Sequence, residues 1–127
     1  MGQKLTLQPG KLMICRLSPE AAVPDWAGRG VFHSITRTSD ELSIVCAEAD
    51  VPDDVKAERG WRPFKVEGPL DLSLTGILAS LAGPLAEAGI NIFAISTYDT
   101  DYLLVKEDMV SKAIEVLARA GHRVSGR

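Results

Sequence analysis

The chain has 127 residues, 46% hydrophobic and 24% charged, which is room for one compact domain or two small subdomains sharing a core. Net charge is -3 and the 14 Lys and Arg are scattered, with no basic stripe interleaved with aromatics, so no nucleic-acid partner is expected. The longest uncharged run, "LSLTGILASLAGPLA", is too short and too rich in Gly and Pro to span a bilayer, and the N-terminus lacks a signal-peptide apolar region, so the expectation is a cytoplasmic protein with no membrane partner.

The first strand-like run is 11–17, "KLMICRL". After it, "SPEAAVPDWAGRG" contains Pro24 and two glycines and has space for one or two helical turns. Strands follow at 31–38 and 42–48, and "PDDVKAERG" has the composition of a short helix. Residues 62–67 read as the next strand. Leu74, Ile77, Leu78, Leu81 and Leu85 recur at intervals of three and four, predicting a helix over 73–88 that Gly89 stops. Pro84 removes one backbone donor and crowds the Ser80 carbonyl, so a kinked helix is expected there rather than two helices. Strands at 90–97 and 101–106 precede a second helix over 108–120, with Asp108 as its N-cap and Gly121 after its end, and a last strand at 121–125.

From residue 62 onward the order is βαββαβ, the split-βαβ arrangement of an α+β, ferredoxin-like domain. The first half reads as a weaker copy. "ITRTSDELSIV" at 35–45 aligns with "ISTYDTDYLLV" at 95–105 at an offset of 60, so that Glu41 meets Asp101. This divides the chain into 1–60, a degenerate repeat, and 61–127, a complete unit.

Few residues have the chemistry of a site. Cys15 and Cys46 stand in apolar runs without CxxC spacing and are expected as buried free thiols. His33 and His122 have no ligand-spaced Asp, Glu or Cys around them, so no metal is expected. No nucleophile–histidine pair and no phosphate-cradling glycine fingerprint appears, which predicts neither catalysis nor a cofactor. What remains are two polar clusters. "EGPLDLSLTG" puts Asp71, Ser73 and Thr75 around a helix N-terminus, either as caps or as part of an anion-binding start. "ISTYDTD" closes a hairpin, and its Asp99 is the ordinary turn former, whereas Asp101 lies inside a strand, where acids are disfavoured. Together the clusters offer donors for a carboxylate and acceptors for an ammonium.

The segments "RTSDELSIVC", "GPLDLSLTGILASL" and "PLAEAGINIFAISTYDTDYLLV" resemble ACT-domain proteins, in particular a small bacterial group of tandem ACT units. The resemblance implies a ferredoxin-like ACT fold and regulatory binding of a small molecule, usually an amino acid, at an interface between ACT units. Carried over by motif, it nominates Leu72, Ser73, Leu74, Thr75 and Gly76 before the helix, with Ile95, Ser96, Thr97 and Asp101 on the hairpin. The implied partners are an amino acid and a second copy or another protein. The alternative is a ligand-free interaction module that dimerises through its sheet, motivated by the two-sided apolar strand 90–97.

Overall fold

In the computed structural model, residues 2–68 and 76–126 are described. Eight strands appear among them: β1 (Lys4–Leu7), β2 (Leu12–Leu17), β3 (Ser34–Arg37), β4 (Leu42–Ala47), β5 (Ala57–Val66), β6 (Phe93–Ser96), β7 (Asp101–Lys106) and β8 (Arg123–Ser125). The helices are α1 (Ile77–Glu87) and α2 (Val110–Arg119), with 3-10 turns at Asp25–Gly28, Glu48–Asp50 and Glu107–Met109. Contacts divide the chain into one unit of residues 1–9 and 62–127 and another of residues 10–61.

The larger unit has the expected order β5-α1-β6-β7-α2-β8, with one addition. Strand β1, which the sequence reading left unassigned, enters the sheet between β5 and β8, so the order across it is β6-β7-β5-β1-β8. It runs antiparallel to β5, Leu5 opposite Val66, and parallel to β8, Leu5 opposite Val124. Its reason for being there is apolar: Leu5 and Leu7 alternate with Lys4 and Thr6 and join a core with Phe64, Val66, Leu103 and Val105 of the sheet. Leu81 and Leu85 of α1 and Ala113 and Leu117 of α2 complete that core, so both helices cover one sheet face.

Both helices end in the same way. Gly89 (φ 76°) donates to the Ala86 carbonyl and Ile90 to that of Leu85; Gly121 (φ 95°) donates to Ala118 and His122 to Leu117. This is the Schellman pattern, which needs a left-handed residue where glycine stands. At their starts the expectation needs correction. Asp108 is not the cap of α2: it sits inside the preceding 3-10 turn, and Met109 occupies the cap position without a side-chain bond. The first helix begins at Ile77 with Gly76 (φ 81°) as its cap; residues 73–75 of the predicted helix lie outside the described residues.

Helix α1 runs continuously through Pro84, as one helix. The proline leaves the Ser80 carbonyl without its ordinary i+4 donor. A side chain replaces it: His122 Nε2–H donates to Ser80 O at 3.1 Å, while Nδ1 accepts the Gln3 amide at 2.9 Å. These two bonds define the imidazole tautomer, protonated on Nε2, and explain why a histidine is only 5% exposed.

In the smaller unit the strand order is β3-β4-β2-β5, the last contributing residues 57–61. Its core is Met13, Cys15, Leu42, Ile44 and Cys46, roofed by Ala27 and Val51 rather than by a long helix. The 3-10 turn Asp25–Gly28 is the single turn that the Pro24 stretch allows. The helix expected in "PDDVKAERG" does not form; its second half is strand β5. Gly60 (φ 75°) does not end that strand but accompanies a register shift between the Leu12 and Ile14 pairings, and Glu48 Oε1 accepts its amide at 2.8 Å. Cys15 and Cys46 are free and buried, as expected. Burial, then the neighbouring Cys15, pushes the Cys46 thiol up to about 12.

Candidate functional site

The β6–β7 hairpin is built from its turn outward. Thr97 N–H donates to Thr100 O at 2.7 Å, and the Thr97 hydroxyl donates to the same carbonyl and accepts the Thr100 amide at 3.2 Å. Tyr98 and Asp99 are therefore the two loop residues, and Thr97, not Asp99, supplies the side chain that closes the turn. Thr100 is buried, and its hydroxyl donates to the Val66 carbonyl at 2.5 Å. That bond fastens the turn to the last residue of β5, where the chain departs toward α1.

Immediately after the turn stands the pair Ser96–Asp101, opposite each other in register. The Ser96 hydroxyl donates to Asp101 Oδ1 at 2.5 Å. Side chains alternate along a strand, so Asp101 shares the face of Leu103 and Val105, the face that α1 and α2 cover. Asp101 is half-buried and Ser96 exposed at the rim of that face. Among the described residues this hydroxyl is the hydrogen-bond donor to the carboxylate, and it fills a small part of the acceptor capacity. Ile95 and Thr97 project to the other face by the same alternation, Ile95 opposite Tyr102.

At the start of α1, Gly76 makes no side-chain cap bond, and the first intrahelical bond runs from Ser80 N–H to Gly76 O. Among the described residues no side chain caps the amides of the first turn, and helix starts are where anions are taken up. Of the residues nominated from the sequence, Ser96 and Asp101 are brought together and Gly76 begins the helix above the same sheet face. Leu72, Ser73, Leu74 and Thr75 lie outside the described residues. Thr100 is the residue whose role sequence reasoning missed: its bond to β5 is a long-range contact with no local signature. No group of three or more His, Cys, Asp and Glu among the described residues has a metal-holding arrangement, and no described helix is long and apolar enough to cross a membrane.

Comparison with known proteins gives these features a family. The chain is similar over 60 residues to the cytosolic arginine sensor for mTORC1 subunit 1, at 47% identity for the Homo sapiens protein and 42% for that of Mus musculus. That stretch is 46% of this chain and 18% of the relative, so the chain spans less than a fifth of the length of the curated relatives it matches. A solved protein from Agrobacterium tumefaciens is 44% identical with a TM-score of 0.94, covering 100% of this chain and 96% of its own. The regulatory subunit of aspartate kinase from Thermus thermophilus matches with a TM-score of 0.62 at 13% identity, over 92% of this chain and 97% of that one, which shows a shared fold alone. A family model described as an N-terminal domain matches residues 10–54. The model of the ACT domain matches residues 56–119, the stretch that carries β5 through α2, and the chain belongs to the ACT domain family.

Proposed function

We propose that this chain is a regulatory protein that binds a free amino acid, without catalytic activity of its own, and acts by changing how it pairs with itself or with a partner protein. The ligand is held between the start of α1 and the Ser96–Asp101 end of the hairpin. The observation that carries the reading is the Thr100–Val66 bond. It holds the hairpin turn at the end of β5, from which the 67–76 connection leads to α1, while Asp101 faces the helix side of the sheet. In this reading the Asp101 carboxylate accepts the ligand ammonium, a charge-assisted pair. The amides after Gly76, with Leu72, Ser73, Leu74 and Thr75 leading into them in the sequence, receive the ligand carboxylate. Ile95 and Thr97 contribute backbone beside Ser96. Similarity to a protein named as an arginine sensor supports the ligand class and leaves the side chain of the ligand open.

A thermal-shift screen of the twenty amino acids tests the reading. A ligand at about 100 times its Kd stabilises by about 2.7 kcal/mol, and the expected result is a raised Tm for one or a few of them. Asp101→Asn keeps the shape and removes the charge, and it is expected to abolish the shift while leaving the ligand-free Tm within about 2 °C. A flat response to all twenty, or a shift that persists in Asp101→Asn, refutes it.

A further inference from the structure

Met13, Cys15 and Cys46 place three sulfur atoms in the core of the smaller unit, each residue 0–1% exposed. Met13 stands directly opposite Cys46 in the β2–β4 register, and Cys15 stands opposite Ile44. The two cysteines are therefore diagonal neighbours on one sheet face. Diagonal Cα atoms are about 7–8 Å apart, beyond the roughly 4.4–6.8 Å that a disulfide usually spans. An ion held between two sulfurs makes a longer bridge, with a metal–sulfur bond of about 2.3 Å on each side.

The surroundings select the ion. The buried neighbours Ala27, Leu42, Ile44 and Val51 are apolar, so the donors on this face are two thiols and a thioether. Such ligands suit Cu(I), whereas a structural Zn(II) site asks for four donors and Mg and Ca ask for oxygen. Charge agrees. A univalent ion on two thiolates leaves one negative charge, and Arg59 of the same unit supplies the opposite one. Its Nη1–H donates to Met13 Sδ at 3.8 Å. Burial raises the Cys15 thiol, and the Arg59 guanidinium is among the groups that draw it back down. Asp53 lies 3.9 Å from the other end of that guanidinium, but its carboxylate is fully exposed and screened by water. A divalent ion would leave the site with net positive charge.

We propose that Met13, Cys15 and Cys46 form a three-coordinate site for a soft monovalent ion, Cu(I). Loading takes the ion in and releases two thiol protons to solvent, with no change of oxidation state. The way in is through the roof. Between β2 and β3 the described chain forms the short 3-10 turn Asp25–Gly28, and Ala27 of that turn sits on the sulfur core. Arg37 fastens the same segment by donating to the Pro19 and Ala21 carbonyls. A roof held by so few bonds opens locally without unfolding the sheet. A bare ion needs less room than an alkylating reagent and displaces the thiol proton itself. The inference does not depend on amino-acid binding, since none of its residues belongs to the Ser96–Asp101 site.

The test loads the reduced full chain with Cu(I) under argon, desalts it against the Cu(I) chelator bicinchoninate, and measures retained metal and its X-ray absorption. The expected result is one copper per chain, a shell of sulfur atoms alone, and a raised Tm. Zn(II) treated in the same way is expected to be lost. Cys15→Ala and Cys46→Ala are each expected to lose the copper. Met13→Leu keeps the core volume and is expected to weaken the Cu(I) Kd at least about tenfold with an unchanged circular dichroism spectrum. Should an alanine variant fail to fold, the shell of the parent and the Met13→Leu comparison still decide. A parent chain that retains no copper overturns the proposal. So does a shell of nitrogen or oxygen, which marks an adventitious ion only, and so does retention undiminished in any of the three variants.

Discussion

Pro84 and His122 are 38 positions apart in the sequence and meet at one atom, the Ser80 carbonyl oxygen. If the imidazole replaces the helix donor that the proline lacks, its loss must cost more when the proline is present than when it is absent. His122→Ala removes the donor to Ser80 O and the acceptor of the Gln3 amide, both at a site 5% exposed. Each orphaned group costs about 1–3 kcal/mol, so a loss of about 3 kcal/mol is expected, before any cavity is counted. For a chain of this size that lowers Tm by about 10 °C.

In the Pro84→Ala background, residue 84 regains an N–H in helical position to bond Ser80 O. His122→Ala then orphans only the Gln3 amide, and its cost falls to about 1.5 kcal/mol. The coupling energy of the cycle is therefore about 1.5 kcal/mol, well above the 0.3–0.5 kcal/mol within which independent sites add. Urea unfolding of the four proteins, followed by circular dichroism, measures it directly. Equal costs of His122→Ala in the two backgrounds would refute the replacement and leave the histidine as a tether for β1 alone.

Four further outcomes rest on the packing and the proposed site. Thr100→Val, nearly isosteric, takes the hydroxyl from Val66 O and is expected to cost about 1–2 kcal/mol in urea unfolding, whereas Ser96→Ala, at an exposed rim, stays within about 0.5 kcal/mol. Cys46 has a raised thiol pKa of about 12 when folded against a value of 9.0 when exposed, so the folded state holds the proton more tightly. Its contribution is complete below pH 9 and declines as pH rises from about 9 toward 12, which a falling urea midpoint over the accessible part of that range would show. Both thiols are also expected to resist iodoacetamide until denaturant is added. Isothermal titration with whichever amino acid raises Tm is expected to give one site per chain; two would contradict the assignment to the β6–β7 hairpin alone.

The larger unit was legible in the sequence because its signals are local. Leucines at helical spacing, Gly89 and Gly121 after the last turns, and a polar bend between apolar runs each act within a few residues. What escaped rests on distant partners. Strand β1 has only four residues, "KLTL", and its place between β5 and β8 depends on residues more than 55 positions away. The start of β5 was hidden by Gly60, which in one sequence reads as a stop and in the sheet serves an irregular pairing. The internal repeat shows the same limit in finer detail. Matching letters gives an offset of 60, but the turns give 59. Thr38 closes the first turn onto Glu41 and Thr97 closes the second onto Thr100, each with its hydroxyl and amide. The inward faces agree with 59 as well, Ile44 and Cys46 in one core corresponding to Leu103 and Val105 in the other.

That one-residue correction changes what the repeat means for binding. At an offset of 60 Glu41 is the counterpart of Asp101, and each hairpin would carry an acid at the head of its second strand. At 59 the counterpart of Asp101 is Leu42, on the inward face and 0% exposed, while Glu41 corresponds to Thr100 at the turn. A leucine there closes the core where the other hairpin presents a hydroxyl-held carboxylate. The proposed donor half differs too: between β2 and β3 stands a 3-10 turn of four residues headed by Pro24, which has no amide to give, in place of an eleven-residue helix. If the larger unit binds an amino acid as proposed, Asp101 and the start of α1 supply both halves of the chemistry it requires, and the matching positions of the smaller unit supply neither.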